Sequence, residues 1–359
     1  AWETPPFDPT LRDGRVYARG AQDNKGQSFA FFEGLAALVA AGRPLPTVKV
    51  VLDGQEESGS AALRAHLPEL KRRLAANLMV VCDTNMHASG RLAITAGLRG
   101  MLHLTLRLEG PLRDLHSGSH GGLAPNPAMA LARLLATLHH PDGSIAVEGF
   151  LDRIEEPSGE EQRLALAEPF DDEAYQKLTG VPPVGGEQGL EAPLRVGFRP
   201  TIEVNGLSSG YAGPGSKTII PATALAKLTA RLCPGQHPAQ ALEQIRAHLQ
   251  RHAPAGLRLR IEDTDDSGTG FRLPLDSPAV RLARDVLSAM DPRGPVFLWE
   301  GASVPIVADL WEHTGAAPLM VGFGRDEDCI HAPNESFGLE QFQLALRFGT
   351  EILAALGAG

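Results

Sequence analysis

Apolar residues recur along the chain with two distinct periods, and the first third alternates between them. Residues 16–18 read as a short strand, and after a polar stretch residues 27–41 carry helical periodicity that stops at Gly42. The continuous β-branched run 48–52 predicts a buried strand, 61–75 a helix, and 78–82 a third strand ending at Asp83. Residues 319–323 predict a fourth strand, followed by a loop to Pro333 and a helix over 339–356. Strands and helices in alternation predict an α/β layer with a mostly parallel sheet.

The middle of the chain has another rhythm. Residues 101–109 alternate like a two-faced strand, 126–138 read as a helix, 224–232 as a strand, 238–252 as a helix and 257–262 as a closing strand. This order predicts a small α+β sandwich. Residues 148–196, rich in Glu, Pro and Gly and weakly periodic, predict a long surface excursion from it. The expected organisation is an outer α/β domain, 1–97 and 271–359, interrupted by an inserted α+β domain, 98–270.

Composition narrows the classes of function. The 359 residues carry 33 Lys+Arg against 43 Asp+Glu, a net charge of −10, with no basic cluster. Nucleic acid and anionic membranes therefore have little electrostatic support as partners, and a small substrate is expected. Three scattered cysteines make no disulfide framework, which favours a reducing, cytoplasmic setting. No apolar run approaches the roughly 20 residues of a membrane span, and the first residues show no export signal.

Four loops that follow expected strands each carry a candidate metal ligand: Asp23, the pair Glu56-Glu57, Asp83 and His331. Loops at the carboxyl ends of the strands of an open α/β sheet converge on one crevice, so ligands far apart in sequence can meet there. Carboxylates and imidazole suit Zn²⁺ or Mn²⁺, and the corresponding reaction class is metal-assisted hydrolysis. Taken singly, Asp23 reads as a helix cap, Glu56-Glu57 as a solvated pair, Asp83 as a turn former and His331 as a packing residue. The joint placement is what favours a metal site.

The motifs Arg19-Gly20-Ala21-Gln22-Asp23-Asn24-Lys25-Gly26, Gly54-Gln55-Glu56-Glu57-Ser58-Gly59-Ser60, Asp83, Asp114-Leu115-His116-Ser117-Gly118 and His331-Ala332-Pro333-Asn334-Glu335 together resemble the co-catalytic zinc peptidases. That family includes carnosinase, acetylornithine deacetylase, succinyl-diaminopimelate desuccinylase and carboxypeptidase G, and the chain looks most like the carnosinase and cytosolic dipeptidase branch. The resemblance implies two divalent ions, Zn²⁺ foremost with Mn²⁺ or Co²⁺ as alternatives. It makes Asp23 the carboxylate bridging both, with a cis peptide to Asn24. Glu57 and His331 would bind one ion and Asp83 the other, while Glu56 acts as general base on water. It also implies a homodimer formed through the inserted domain, in which His116 reaches the partner's active site to stabilise the oxyanion. Arg199 and Ser303 resemble positions that hold the free carboxylate of a dipeptide or N-acyl amino acid.

Family members also carry a His-x-Asp element upstream of the Asp23 motif, which this sequence does not contain. His140-Pro141-Asp142, the one His-x-Asp present, reads as a turn. With the second site incomplete, an alternative reading is a non-catalytic or truncated homologue that keeps the fold and the dimer surface. A further alternative is a serine hydrolase, since Gly206-Leu207-Ser208-Ser209-Gly210 matches a nucleophile elbow.

Overall fold

The structure is a computed structural model describing residues 1–263 and 267–358. The chain divides into two compact units: Ala1–Gly97 with Arg272–Trp299 and Asp309–Gly359, and Leu98–Phe271 with Glu300–Ala308. The strip Glu300–Ala308, expected in the outer domain, groups with the insertion because its polar groups are bonded there. The Ser303 hydroxyl donates to the Arg99 carbonyl at 2.6 Å, and the Arg99 Nε donates to the Gly301 carbonyl at 3.2 Å.

In the first unit the strand Ala93–Leu98 is buried at every position and meets Ala317–Met320 antiparallel, and the latter runs parallel to Leu78–Val81. Val296–Glu300 also pairs with Ala93–Leu98. A separate antiparallel sheet joins Thr10–Arg12, Arg15–Tyr17 and Ser336–Gly338, with Ser336 opposite Tyr17. The helices Gln27–Ala40 and Leu339–Ala358 pack against each other. A Cβ on Gly34 would sit 2.9 Å from Thr350, and one on Gly349 would sit 3.1 Å from the Phe31 ring, so two glycines facing each other's helix permit the close approach.

The run 48–52 is a correction. It forms no strand among the described residues, and Val50 and Leu52 are 52% and 75% exposed. β-branched residues make a strand only where a neighbouring edge accepts their backbone. Leu78–Val81 ends its sheet, pairing only with Ala317–Met320, so nothing described pairs with residues 48–52.

The second unit is the expected α+β sandwich. Its antiparallel sheet runs in the order Arg258–Asp263, Gly100–Glu109, Thr223–Leu232, Thr201–Ser209. One face carries Leu102, Leu104, Leu106 and Leu108 from a single strand, packed against Leu131, Leu134, Ile245 and Leu249 of the helices Pro127–Ala136 and Pro238–Arg251. The strict alternation of buried and half-buried residues along Gly100–Glu109 is the period-2 signal of the sequence made physical. Residues 148–196 hold the short helices Gly159–Ala165 and Asp172–Thr179 and the start of a third, Ala192–Phe198, the first closed by a Ser158–Glu161 capping box.

Candidate metal centre

Three of the expected ligands converge. The Asp23 Oδ2 lies 2.9 Å from the His331 Nε2, and the Glu57 Oε2 lies 3.1 Å from the same nitrogen. One donor atom from each of the three lies within 4.8 Å of the others. Two carboxylates and one imidazole on so small a sphere form a donor set that suits a divalent ion such as zinc.

Each side chain reaches this point through a distorted piece of backbone. Asp23 and Asn24 have non-helical dihedrals inside the turn Ala21–Gly26, and the peptide between them is cis. The Asn24 side chain donates to the Cys82 carbonyl at 2.9 Å, tying this turn to the chain just before Asp83. Glu56 and Glu57 open the short helical turn Glu56–Ser58, which Gly59 closes in the left-handed region. His331 itself has φ 57, within a loop where Cys329 and Asn334 also take positive φ.

That loop is held from both sides. The Asp328 carboxylate, fully buried, accepts from the Gln341 amide at 2.8 Å and the Arg325 backbone N–H at 2.7 Å, and is paired with Arg15. The Glu335 carboxylate, equally buried, accepts from Arg19 at 2.9 Å.

Electrostatics mark the same spot. Burial first, then the charges of Asp23 and Glu56, push the Asp83 carboxyl up to about 7. Burial, then Glu57, also hold Asp23 above the usual carboxylate range, although His331 pulls the other way. Glu56 is raised by burial and by Glu57, Asp23 and Asp53. For His331, burial lowers the imidazole, but Glu57 and Asp23 outweigh it and the net shift is upward. A set of carboxylates forced together and partly desolvated, with one imidazole, is what a cation stabilises.

The other expected residues lie in the second unit. His116 ends the short strand Leu115–His116, pairs with Ile219 and accepts from the Gly118 backbone N–H at 3.1 Å. Arg199 is committed to Glu156 and Glu187, each at 3.0 Å. A second arginine of this unit is one the sequence reading did not single out. Arg231, half-buried on the strand Thr223–Leu232, donates to the Ser303 Oγ at 2.9 Å and has no carboxylate within 4.0 Å among the described residues. Burial lowers the Arg231 guanidinium, and burial foremost lowers the nearby Arg99 to about 10. An arginine inside an alternating strand carries no sequence signal that separates it from a solvated one.

The profile of peptidase family M20/M25/M40 matches residues 1–355. The chain belongs to this family. It is a metallopeptidase, as the resemblance of its motifs implied, and the relatives fall in the dipeptidase branch. The Beta-Ala-His dipeptidase of Rattus norvegicus is 28% identical over 348 residues, covering 93% of this chain and 69% of the relative. The Cys-Gly metallodipeptidase dug1 of Schizosaccharomyces pombe is 26% identical over 348 residues, covering 95% and 73%. Among solved structures, the metallo-carboxypeptidase of Sulfolobus solfataricus superposes with a TM-score of 0.88 at 29% identity, over 100% of this chain and 81% of that one.

Two rival sites dissolve in this M20 chain. Ser208 sits within the strand Thr201–Ser209 opposite Leu225, not at a strand-to-helix turn, so it forms no nucleophile elbow. The Asp142 carboxylate of His140-Pro141-Asp142 accepts from the Ser144 backbone and hydroxyl, the turn expected of that element. No helix among the described residues is long and apolar enough to cross a membrane.

Proposed function

We propose that this chain is a dinuclear metal-dependent hydrolase of dipeptides or N-acylated amino acids, working at the carboxylate-imidazole set. The observation that carries this reading is the meeting of Asp23, Glu57 and His331 donor atoms from three loops separated by up to 308 residues. Asp23, Glu57 and His331 would hold one ion and Asp23 and Asp83 a second, with zinc suited first to this donor set and manganese or cobalt next. Bound divalent ions supply Lewis-acid polarisation of the scissile carbonyl and lower the pKa of water.

Glu56 is the proton carrier in this scheme. Its burial and its carboxylate neighbours raise its affinity for a proton, so it takes one from the attacking water and returns it to the leaving amine. Its neighbour Glu57 points to the ligand set, a division of labour open to adjacent residues whose side chains diverge.

The substrate's free carboxylate is assigned to Arg231 and Ser303. Arg199 is already neutralised by two glutamates, whereas Arg231 is a half-buried cation beside a hydroxyl with no counter-ion among the described residues, the state that an incoming carboxylate relieves. Dipeptides are supported by the names of the rat and fission-yeast relatives. His116 is assigned the oxyanion of the partner subunit's site in a homodimer. The second unit has an edge for such a dimer: Thr201–Ser209 ends its sheet, with Val204 and Leu207 exposed.

Chelation should abolish dipeptide cleavage, and added Zn²⁺, Mn²⁺ or Co²⁺ should restore it. Glu56→Gln should keep its metal and lose ~10²–10⁴-fold in turnover, while Glu57→Gln should lose metal. Full activity in excess chelator, or equal metal content and rate in both variants, would overturn this reading.

A further inference from the structure

Glu335 lies four residues beyond His331 and takes part in no step described above. Its carboxylate is 0% exposed, yet it is fully bonded. The Oε1 accepts from the backbone N–H of Gln22 at 3.0 Å and of Asp23 at 3.1 Å. The Oε2 accepts from the backbone N–H of Gly20 at 2.8 Å and from the Arg19 Nη1 at 2.9 Å. Arg19 then reaches back with its Nη2 to the Ala332 carbonyl at 3.0 Å, beside His331. The Ala18 N–H donates to the Glu335 carbonyl at 3.1 Å, which closes the same strip.

One carboxylate thus gathers four donors from the strip Arg19 to Asp23 while standing on the loop that carries His331. Those two loops are 308 residues apart in sequence, and their ligand atoms lie 2.9 Å apart. We propose that Glu335 is a positioning residue that sets the spacing of the Asp23 and His331 donors and thereby the affinity of the site for its ion; this rests on the metal reading above. Its charge is matched by Arg19, so it organises the anionic site without adding an unpaired anion to it. A glutamine cannot substitute. It offers one acceptor oxygen, and its NH₂ would face two N–H donors, so at least two of the four bonds are lost at full burial.

The test uses the whole chain and Co²⁺, read from the visible absorption of the bound ion and by competition with a chromophoric chelator, alongside thermal unfolding of the metal-free protein. Glu335→Gln should weaken Co²⁺ binding 10–100-fold, the usual effect of removing a group that orients metal ligands, and change the shape of the spectrum. Gln236→Leu is the control for stability alone, because that buried amide accepts from the Cys233 N–H at 2.8 Å, donates to the Phe150 carbonyl at 2.7 Å and bonds no residue of either ligand-bearing loop. It should lower the unfolding temperature and leave the affinity and spectrum as in the wild type.

Should Glu335→Gln not fold, Arg19→Lys keeps the charge, loses the fork between Glu335 and Ala332, and should still weaken binding with the same spectral change. Wild-type affinity in a folded Glu335→Gln or Arg19→Lys variant overturns the proposal, as does an equal loss in Gln236→Leu. A wild-type chain that binds no Co²⁺, or an Asp23→Asn variant that binds it equally well, overturns the metal reading and this inference with it. Intact wild-type binding beside an unaffected Glu335→Gln variant removes the inference alone.

Discussion

Asp83 is kept ionisable at the expense of the fold, and replacing it should stabilise the metal-free protein. Burial and the charges of Asp23, Glu56 and Glu57 raise its carboxyl from 3.8 to about 7. Between pH 4 and 7 the folded chain therefore holds a proton that the unfolded chain has released, so stability falls as pH rises through that window. At pH 8 both states are ionised, and the rise corresponds to roughly 4 kcal/mol of penalty at about 1.36 kcal/mol per pKa unit. At pH 4.5 the folded carboxyl is neutral and only the unfolded state gains by ionising, which leaves roughly 1 kcal/mol. Asp83→Asn removes the charge with little change in shape. Urea unfolding in excess chelator should show the variant more stable by roughly 4 kcal/mol at pH 8 and roughly 1 kcal/mol at pH 4.5, with the same denaturant slope. A variant no more stable than the wild type at pH 8, or one equally stabilised at both pH values, would refute the claim that desolvated like charges dominate this site.

Two further outcomes follow from the second unit. Arg231→Met should raise KM for dipeptides by ~10- to 150-fold, the loss of about 1.5–3 kcal/mol expected for a charged hydrogen bond, while Arg199→Met should move KM far less. Equal effects, or equal cleavage of C-terminal amides by the wild type, would return the carboxylate to another residue. Mixing His116→Ala with Glu56→Gln homodimers should restore activity towards about a quarter of wild type on subunit exchange, because each heterodimer then contains one intact site. Demonstrated exchange without recovery would show that His116 acts within its own subunit or outside catalysis.

The chemistry of this protein was legible before its shape. Asp23, Glu56-Glu57, Asp83 and His331 are polar groups placed after apolar runs, and their residue types and order pointed to one candidate metal site, of which Asp23, Glu57 and His331 meet in the structure although the run before Glu56-Glu57 forms no strand. The helices 27–41 and 339–356 and the alternating strand 101–109 were equally plain, since each carries its full apolar period within one segment, and the observed Gln27–Ala40, Leu339–Ala358 and Gly100–Glu109 differ only at the ends. What local sequence could not decide was pairing. The 48–52 run has strong β-propensity yet stays exposed, whereas Ala93–Leu98, with two alanines and a glycine, is buried throughout, because a strand exists only where a neighbour completes its hydrogen bonds. The same holds for charge. Arg199 and Arg231 are indistinguishable in sequence, and only the folded chain gives one two glutamates and leaves the other beside a serine. Glu335 belongs to this class too, since its four donors come from the opposite end of the chain and no spacing within its own segment announces them.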